Sequence, residues 1–162
     1  MVTFTVIGEP QPKGSTKAFV PKSWAAKAVA MGEAPRAIVT SDNPAAKGWQ
    51  QLVAERAQTV LTGDGLFVGP VRVAVVFRLP RPASLPRKVQ HHLKKPDVDK
   101  LARNVLDGLR GVLYADDRAV VDLRARKVYA PTGSAPGADI TVGLVAPPPA
   151  AEWTSRDLFA EV

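Results

Sequence analysis

Asp97 and Asp99 stand two residues apart among lysines, in the run Lys94-Lys95-Pro96-Asp97-Val98-Asp99-Lys100, and a second acidic pair, Asp116-Asp117, follows an apolar helical pattern. Carboxylates are what hard divalent cations bind: magnesium or manganese takes one or two of them and keeps several waters. Asp97, Asp99, Asp107, Asp116 and Asp117 fall within 21 positions, beside the densest lysine and arginine region of the chain. Acids inside a polyanion-binding surface oppose binding unless a cation neutralises them. A bound divalent ion would also polarise a phosphoryl oxygen and activate a water, which is what phosphodiester hydrolysis requires. Nearby lysine or arginine would offset charge in the transition state. Each acid also has a structural reading. Asp97 or Asp99 can cap a helix, and Asp116-Asp117 can be an ordinary turn.

The elements that position these residues follow from pattern. Pro96 biases Lys95 away from helix, so a helix is predicted just after it, with Asp97 or Asp99 at its N-terminus. Val98, Leu101, Val105, Leu106 and Leu109 form its apolar stripe, Gly108 weakens its last turns by about 1 kcal/mol relative to alanine, and Gly111 ends it. Upstream, residues 2 to 7 alternate as a strand and Gly8 to Ser15 form a loop. That loop is no phosphate-binding P-loop, because Lys13 precedes its second glycine and Pro10 and Pro12 remove N–H donors; no nucleotide cofactor is expected. A short helix is predicted between Trp24 and Met31 and a short strand over 36–40. A helix then starts at Asp42 or Asn43, with Pro44 in its first turn, and runs to about Thr62. Trp49, Leu52, Val53, Arg56 and Val60 trace spacings of three and four along it, which makes Trp49 core.

Pro70 to Leu79 reads as a buried strand. Pro80 to Lys95 is an irregular basic connection; its adjacent His91 and His92 invite a metal reading, against which they would face opposite ways in a strand and lie about 100° apart in a helix. Ala119 to Tyr129 alternates again with a basic exposed face. A turn at Pro131 to Gly137 and a last strand, Ala138 to Val145, predict a hairpin between these two strands. Pro147-Pro148-Pro149 opens a tail in which Trp153, Leu158 and Phe159 dock as a short helix. The whole predicts a single α+β domain over 1–146, with a mixed β-sheet and packed helices, and a tail over 147–162.

Composition narrows the function. With 162 residues and 46% hydrophobic content the chain can bury a core without disulfides, and it has no cysteine for thiol catalysis or zinc ribbons. No apolar run reaches the roughly 18 residues of a spanning helix, and the N-terminus lacks the pattern of a signal peptide, so a cytoplasmic protein without membrane partners is expected. A formal charge of +7 and a pI near 10.0 favour nucleic acid as partner.

Lys95-Pro96-Asp97-Val98-Asp99-Lys100-Leu101, then Val105-Leu106-Asp107-Gly108-Leu109 and Tyr114-Ala115-Asp116-Asp117-Arg118-Ala119-Val120-Val121, closely resemble the RusA family of Holliday-junction resolvases, common in phages and prophages. The Pro12-Lys13-Gly14 loop, the Pro-Arg-Pro run after the Pro70 to Leu79 strand and the closing basic strand extend the resemblance over most of residues 1 to 145. It implies a homodimer that binds four-way junctions and other branched DNA and nicks two symmetry-related strands with Mg2+, for which Mn2+ can substitute. By motif position it makes Asp97, Asp99 and Asp117 the metal-binding catalytic carboxylates, with Asp107 and Asp116 secondary. The family's asparagine and lysine after the second aspartate are replaced by Lys100 and Arg103. These are expected to give electrostatic support, and Arg103 keeps its proton at neutral pH. Lys13, Arg81, Arg87, Lys88, Lys94 and Lys95 are expected to contact phosphates, which positions DNA without reading sequence. The competing expectations are a non-catalytic basic module that holds branched or duplex DNA, its acids serving as caps, and a metal phosphodiesterase for RNA or flaps.

Overall fold

The computed structural model describes residues 1–41, 43–61, 65–86 and 88–146. In chain order the elements are β1 (Val2–Ile7), β2 (Thr16–Phe19), α1 (Lys22–Ala30), β3 (Ile38–Ser41), α2 (Ala45–Val60), β4 (Val71–Leu79), α3 (Val98–Leu109), β5 (Val120–Tyr129) and β6 (Gly137–Leu144), with a 3-10 turn at Asp117–Ala119 before β5. Four strands form one mixed sheet in the order β1-β6-β4-β5, and β2 and β3 form a separate ribbon. This is a single α+β unit, as the pattern predicts. The expected tail, with Trp153, Leu158 and Phe159, lies outside the described residues, as do Asp42 and Arg87.

β4 shows how the sequence directs the layers. Val71, Val73, Val75, Phe77 and Leu79 alternate with more exposed residues, and all five are buried under the helices. β4 then needs a partner on each side. β5 lies parallel to it, reached through α3 as a crossover, while β6 lies antiparallel between β4 and β1. The expected hairpin between β5 and β6 is therefore wrong. The turn at 131–137 reverses the chain, but β6 is apolar enough to be an inner strand, whereas the charged residues of β5 suit an edge.

α2 packs on α3 and on β1 through Ala46, Trp49, Val53 and Ala57. Trp49 is core, as expected. Leu52 is not, since it sits on the flank of the buried stripe and remains exposed. Arg56, on the same flank, donates from Nε to the Thr5 carbonyl. The apolar stripe of α3 is buried as predicted at Leu101, Val105 and Leu109, and Asn104 is buried among them. Gly108 is no weak point. A Cβ there would lie 2.8 Å from the Gln50 carbonyl oxygen and 3.1 Å from Val53, so its bare backbone is what lets the two helices cross. No helix among the described residues is long and apolar enough to cross a membrane.

Candidate active site at the start of α3

Asp97 occupies the N-cap of α3 with extended backbone, yet its carboxylate accepts no hydrogen bond from the helix amides. Half of its side chain is exposed, and Lys100 Nζ lies 3.6 Å from Oδ2. Asp99, in the first turn, is exposed and has no hydrogen bond or ion pair among the described residues. Capping therefore does not account for either carboxylate. Both are presented to solvent at the positive end of a helix, where negative charge is favoured.

The backbone around this pair is fixed from three directions. Lys127, from β5, donates through Nζ to the carbonyls of Lys94 (2.7 Å) and Pro96 (2.8 Å). The loop from Gly8 to Ser15 lies along α3, where the Lys13 amide donates to the Lys100 carbonyl at 2.8 Å. Asn104 joins three segments, donating from Nδ2 to Gln11 of that loop (2.9 Å) and to Ala46 of α2 (3.0 Å). Between loop and helix start lies a cavity of about 320 Å3, lined by Glu9, Lys13, Asn43, Lys95, Asp97 and Lys100 among others.

The second acidic pair divides into two different residues. Asp116 caps the 3-10 turn: its Oδ1 accepts from the Arg118 amide at 3.0 Å and from Arg118 Nε at 2.8 Å. Those bonds, backbone first and side chain second, hold its carboxyl below the ordinary range. Asp117 is different. Its Oδ1 is buried with no hydrogen-bond partner, and its Oδ2 stands 3.8 Å from Arg110 Nη1. The nearby Tyr114 is fully buried, donates its hydroxyl to the Leu106 carbonyl, and has its pKa pushed upward, first by burial and then by Asp117 and Asp107. Asp107 is engaged as well, in an ion pair with Lys13 Nζ.

A test of this division is available. Asp116→Ala should melt at a lower temperature than wild type at pH 7. Because the folded-state pKa is depressed, the stabilisation is full above the ordinary aspartate value of about 3.9 and is lost as pH falls through the folded value. The gap between the two melting curves should therefore close in acid; a gap that stays constant with pH would mean that Asp116 does not act through its charge.

The three expected metal ligands come from two places in the fold. Asp97 and Asp99 lie at the start of α3, while Asp117 follows its end and pairs with Arg110. No three histidine, cysteine, aspartate or glutamate residues among the described ones are grouped to hold a metal ion. Arg103 is exposed on α3, one turn beyond Asp99.

The residues expected at phosphates also divide. Lys88, Lys94 and Lys95 are exposed, and Lys95 lines the cavity beside Asp97. Lys13 is turned to Asp107 instead. Arg81 is used to fold its own loop, donating to the carbonyls of Pro86 (2.9 Å) and Val89 (3.0 Å) and lying 5.0 Å from the centre of the Tyr129 ring. His92 packs on the same tyrosine, and burial, then the charge of Lys127, lowers its pKa.

Sequence reasoning missed Lys127 and Asn104, the two residues that position the helix start. Asn104 left a signal, a carboxamide inside an apolar helical stripe, where a buried polar group must have partners. Lys127 left none, because its targets are backbone carbonyls more than thirty residues away.

A basic α+β chain that presents uncapped carboxylates on the helix between two parallel strands offers oxygen donors of the type a hard cation takes, beside a surface suited to polyanions. A family model for the endodeoxyribonuclease RusA matches residues 19–142. The chain is also 30% identical over 144 residues to the uncharacterized protein YqaN of Bacillus subtilis (strain 168), a match spanning 79% of this chain and 87% of that protein. The chain belongs to the RusA endodeoxyribonuclease family.

Proposed function

We propose that this protein is a magnesium-dependent endodeoxyribonuclease that resolves Holliday junctions and related branched DNA by paired symmetric nicks, acting as a homodimer. The observation that carries the reading is the state of Asp97. A carboxylate at a helix N-cap that makes no capping bond, paired among the described residues only with the Lys100 ammonium at 3.6 Å and set beside an unpaired Asp99, is open to a ligand. The buried Oδ1 of Asp117 is a further carboxylate oxygen without a protein partner.

These groups fit a hard cation in chemical type, since all are oxygen donors and magnesium needs only one or two from the protein. Asp97 and Asp99 would hold it; Asp117 is the third expected ligand, although no group of three such residues forms among the described ones. When bound, the ion supplies Lewis-acid polarisation of the phosphodiester and a more acidic water; manganese can replace it. The chain itself does the rest. Lys100, already 3.6 Å from Asp97, restrains that carboxylate and lowers the repulsion that a phosphate meets near two acids. Arg103 adds permanent positive charge one turn along the same helix. Lys88, Lys94 and Lys95 bring backbone phosphates to the helix start, and Lys127 keeps that start in place. A two-fold dimer matches the two-fold symmetry of a four-way junction and supplies two sites for two nicks.

The second reading, a basic module that binds branched DNA without cutting it, is favoured by one observation: the described carboxylates of one chain do not close into a group of three. Incubating the protein with a labelled immobile four-way junction and a matched linear duplex, with magnesium or with chelator, separates the two. The nuclease reading expects paired symmetric nicks on the junction only, with magnesium only. Tight junction binding without cleavage at any magnesium concentration would overturn it in favour of the binding module.

A further inference from the structure

Residues 16–41 fold upon themselves rather than onto the main sheet. β2 pairs with β3, α1 connects them, and α1 has no buried residue. Apolar side chains are left in solvent there: Phe19, Trp24 (52% exposed), Val29 and Met31. Tryptophan is the largest apolar side chain available, and half-exposed on a nine-residue helix it is an unused contact surface. Helical spacing puts Lys27 and Met31 on the side of Trp24, three and seven positions on, while Ala25 and Ala28 lie on a less exposed side.

Two observations bear on what this surface would contact. The first is charge: the segment carries Lys17, Lys22, Lys27 and Arg36 against a single acid, Glu33. The second is position. Ser15 and Asn43, which flank the arm in sequence, line the same cavity as Asp97, and Asn43 Nδ2 donates to the Pro12 carbonyl at 2.9 Å. The arm therefore springs from the rim of the proposed active site.

We infer that the arm is a DNA-binding element that stacks Trp24 on an unstacked base beside the branch point, while Lys22 and Lys27 hold the flanking phosphates. This rests on the nuclease reading and deepens it. An aromatic ring stacks on any base, so the contact reads no sequence, but it needs a base whose face is open. A branch point offers such faces and an intact linear duplex does not. The arm would thus supply selectivity for DNA structure, a property that carboxylates and lysines at a phosphate cannot provide.

Fluorescence anisotropy of the full chain, in chelator so that nothing is cut, tests this with a labelled four-way junction and a matched linear duplex. Trp24→Ala is expected to weaken junction binding about ten-fold or more while changing duplex binding by less than about two-fold, and Trp24→Phe should recover most of the loss. The pair Lys22→Gln and Lys27→Gln should weaken both substrates and lower the slope of log affinity against log salt by about 1.8. Melting temperatures of the Trp24 variants should match wild type, because the side chain is not core. Unchanged junction affinity of Trp24→Ala, with wild type still cutting junctions in magnesium, overturns the arm alone. A wild type that binds neither DNA overturns the arm and the nuclease reading together. A fall from dimer to monomer in sedimentation of Trp24→Ala assigns the surface to a second copy of the chain and also overturns the proposal.

Discussion

Asp97→Asn is expected to lower magnesium-supported cleavage of a four-way junction on the order of 10^3-fold, the scale of losing a group that acts on transition-state charge, while the fold is unchanged. The substitution is chosen for what it preserves. Asparagine is as good an N-cap as aspartate and nearly the same size, so a residue that served only to cap α3 would tolerate it. Asp97 has no cap hydrogen bond to lose in the first place. The change removes a negative charge and with it most of the affinity for a hard cation. Junction binding in chelator should hold or tighten slightly, because one repulsive charge next to the phosphates is gone. The measurement is single-turnover cleavage alongside anisotropy and a thermal melt. Full cleavage by a stably folded Asp97→Asn would remove Asp97 from the metal site and leave Asp99 and Asp117 to explain the chemistry.

Gly108→Ala should destabilise the protein by about 2 kcal/mol, although alanine is the better helix former by about 1 kcal/mol. Two effects of opposite sign compete at this position. Within α3 alone, alanine restricts the unfolded chain and improves propensity. Against α2, the new methyl meets the Gln50 carbonyl at 2.8 Å and Val53 at 3.1 Å. A backbone carbonyl in a packed helix cannot rotate away as a flexible side-chain end can, so the helices must separate and lose contact along their crossing. That crossing also carries the Gln50 Nε2 bond to the Asp107 carbonyl and the Asn104 Nδ2 bond to Ala46, so cleavage should fall with stability. Urea unfolding should show a lower midpoint at the same slope. A variant as stable as wild type would mean that α2 and α3 do not approach as closely as this.

The elements of this protein were largely legible in the sequence, because each has a period written along its own stretch. β4 alternates through Phe77, α3 repeats at three and four through Leu109, and proline and glycine punctuate the ends. The acids proposed for the site stand close together in the sequence, Asp97 two positions from Asp99 and Asp116-Asp117 within twenty residues. What lay beyond the sequence were relations between distant stretches. Strand pairing is one: a turn at 131–137 says that the chain reverses, but β6 pairs along both edges, with β1 and β4, away from β5. Choosing among the acids is another. Asp116 and Asp117 are chemically identical neighbours, and what separates them is that one reaches Arg118 while an oxygen of the other is enclosed without a partner. Gly108 is the clearest case, since the contact that requires a glycine there is a carbonyl fifty-eight residues earlier in the chain. Local pattern follows from backbone geometry and side-chain solubility, which act over a few residues. Partner, exposure and charge state follow from packing, which the completed tertiary structure decides.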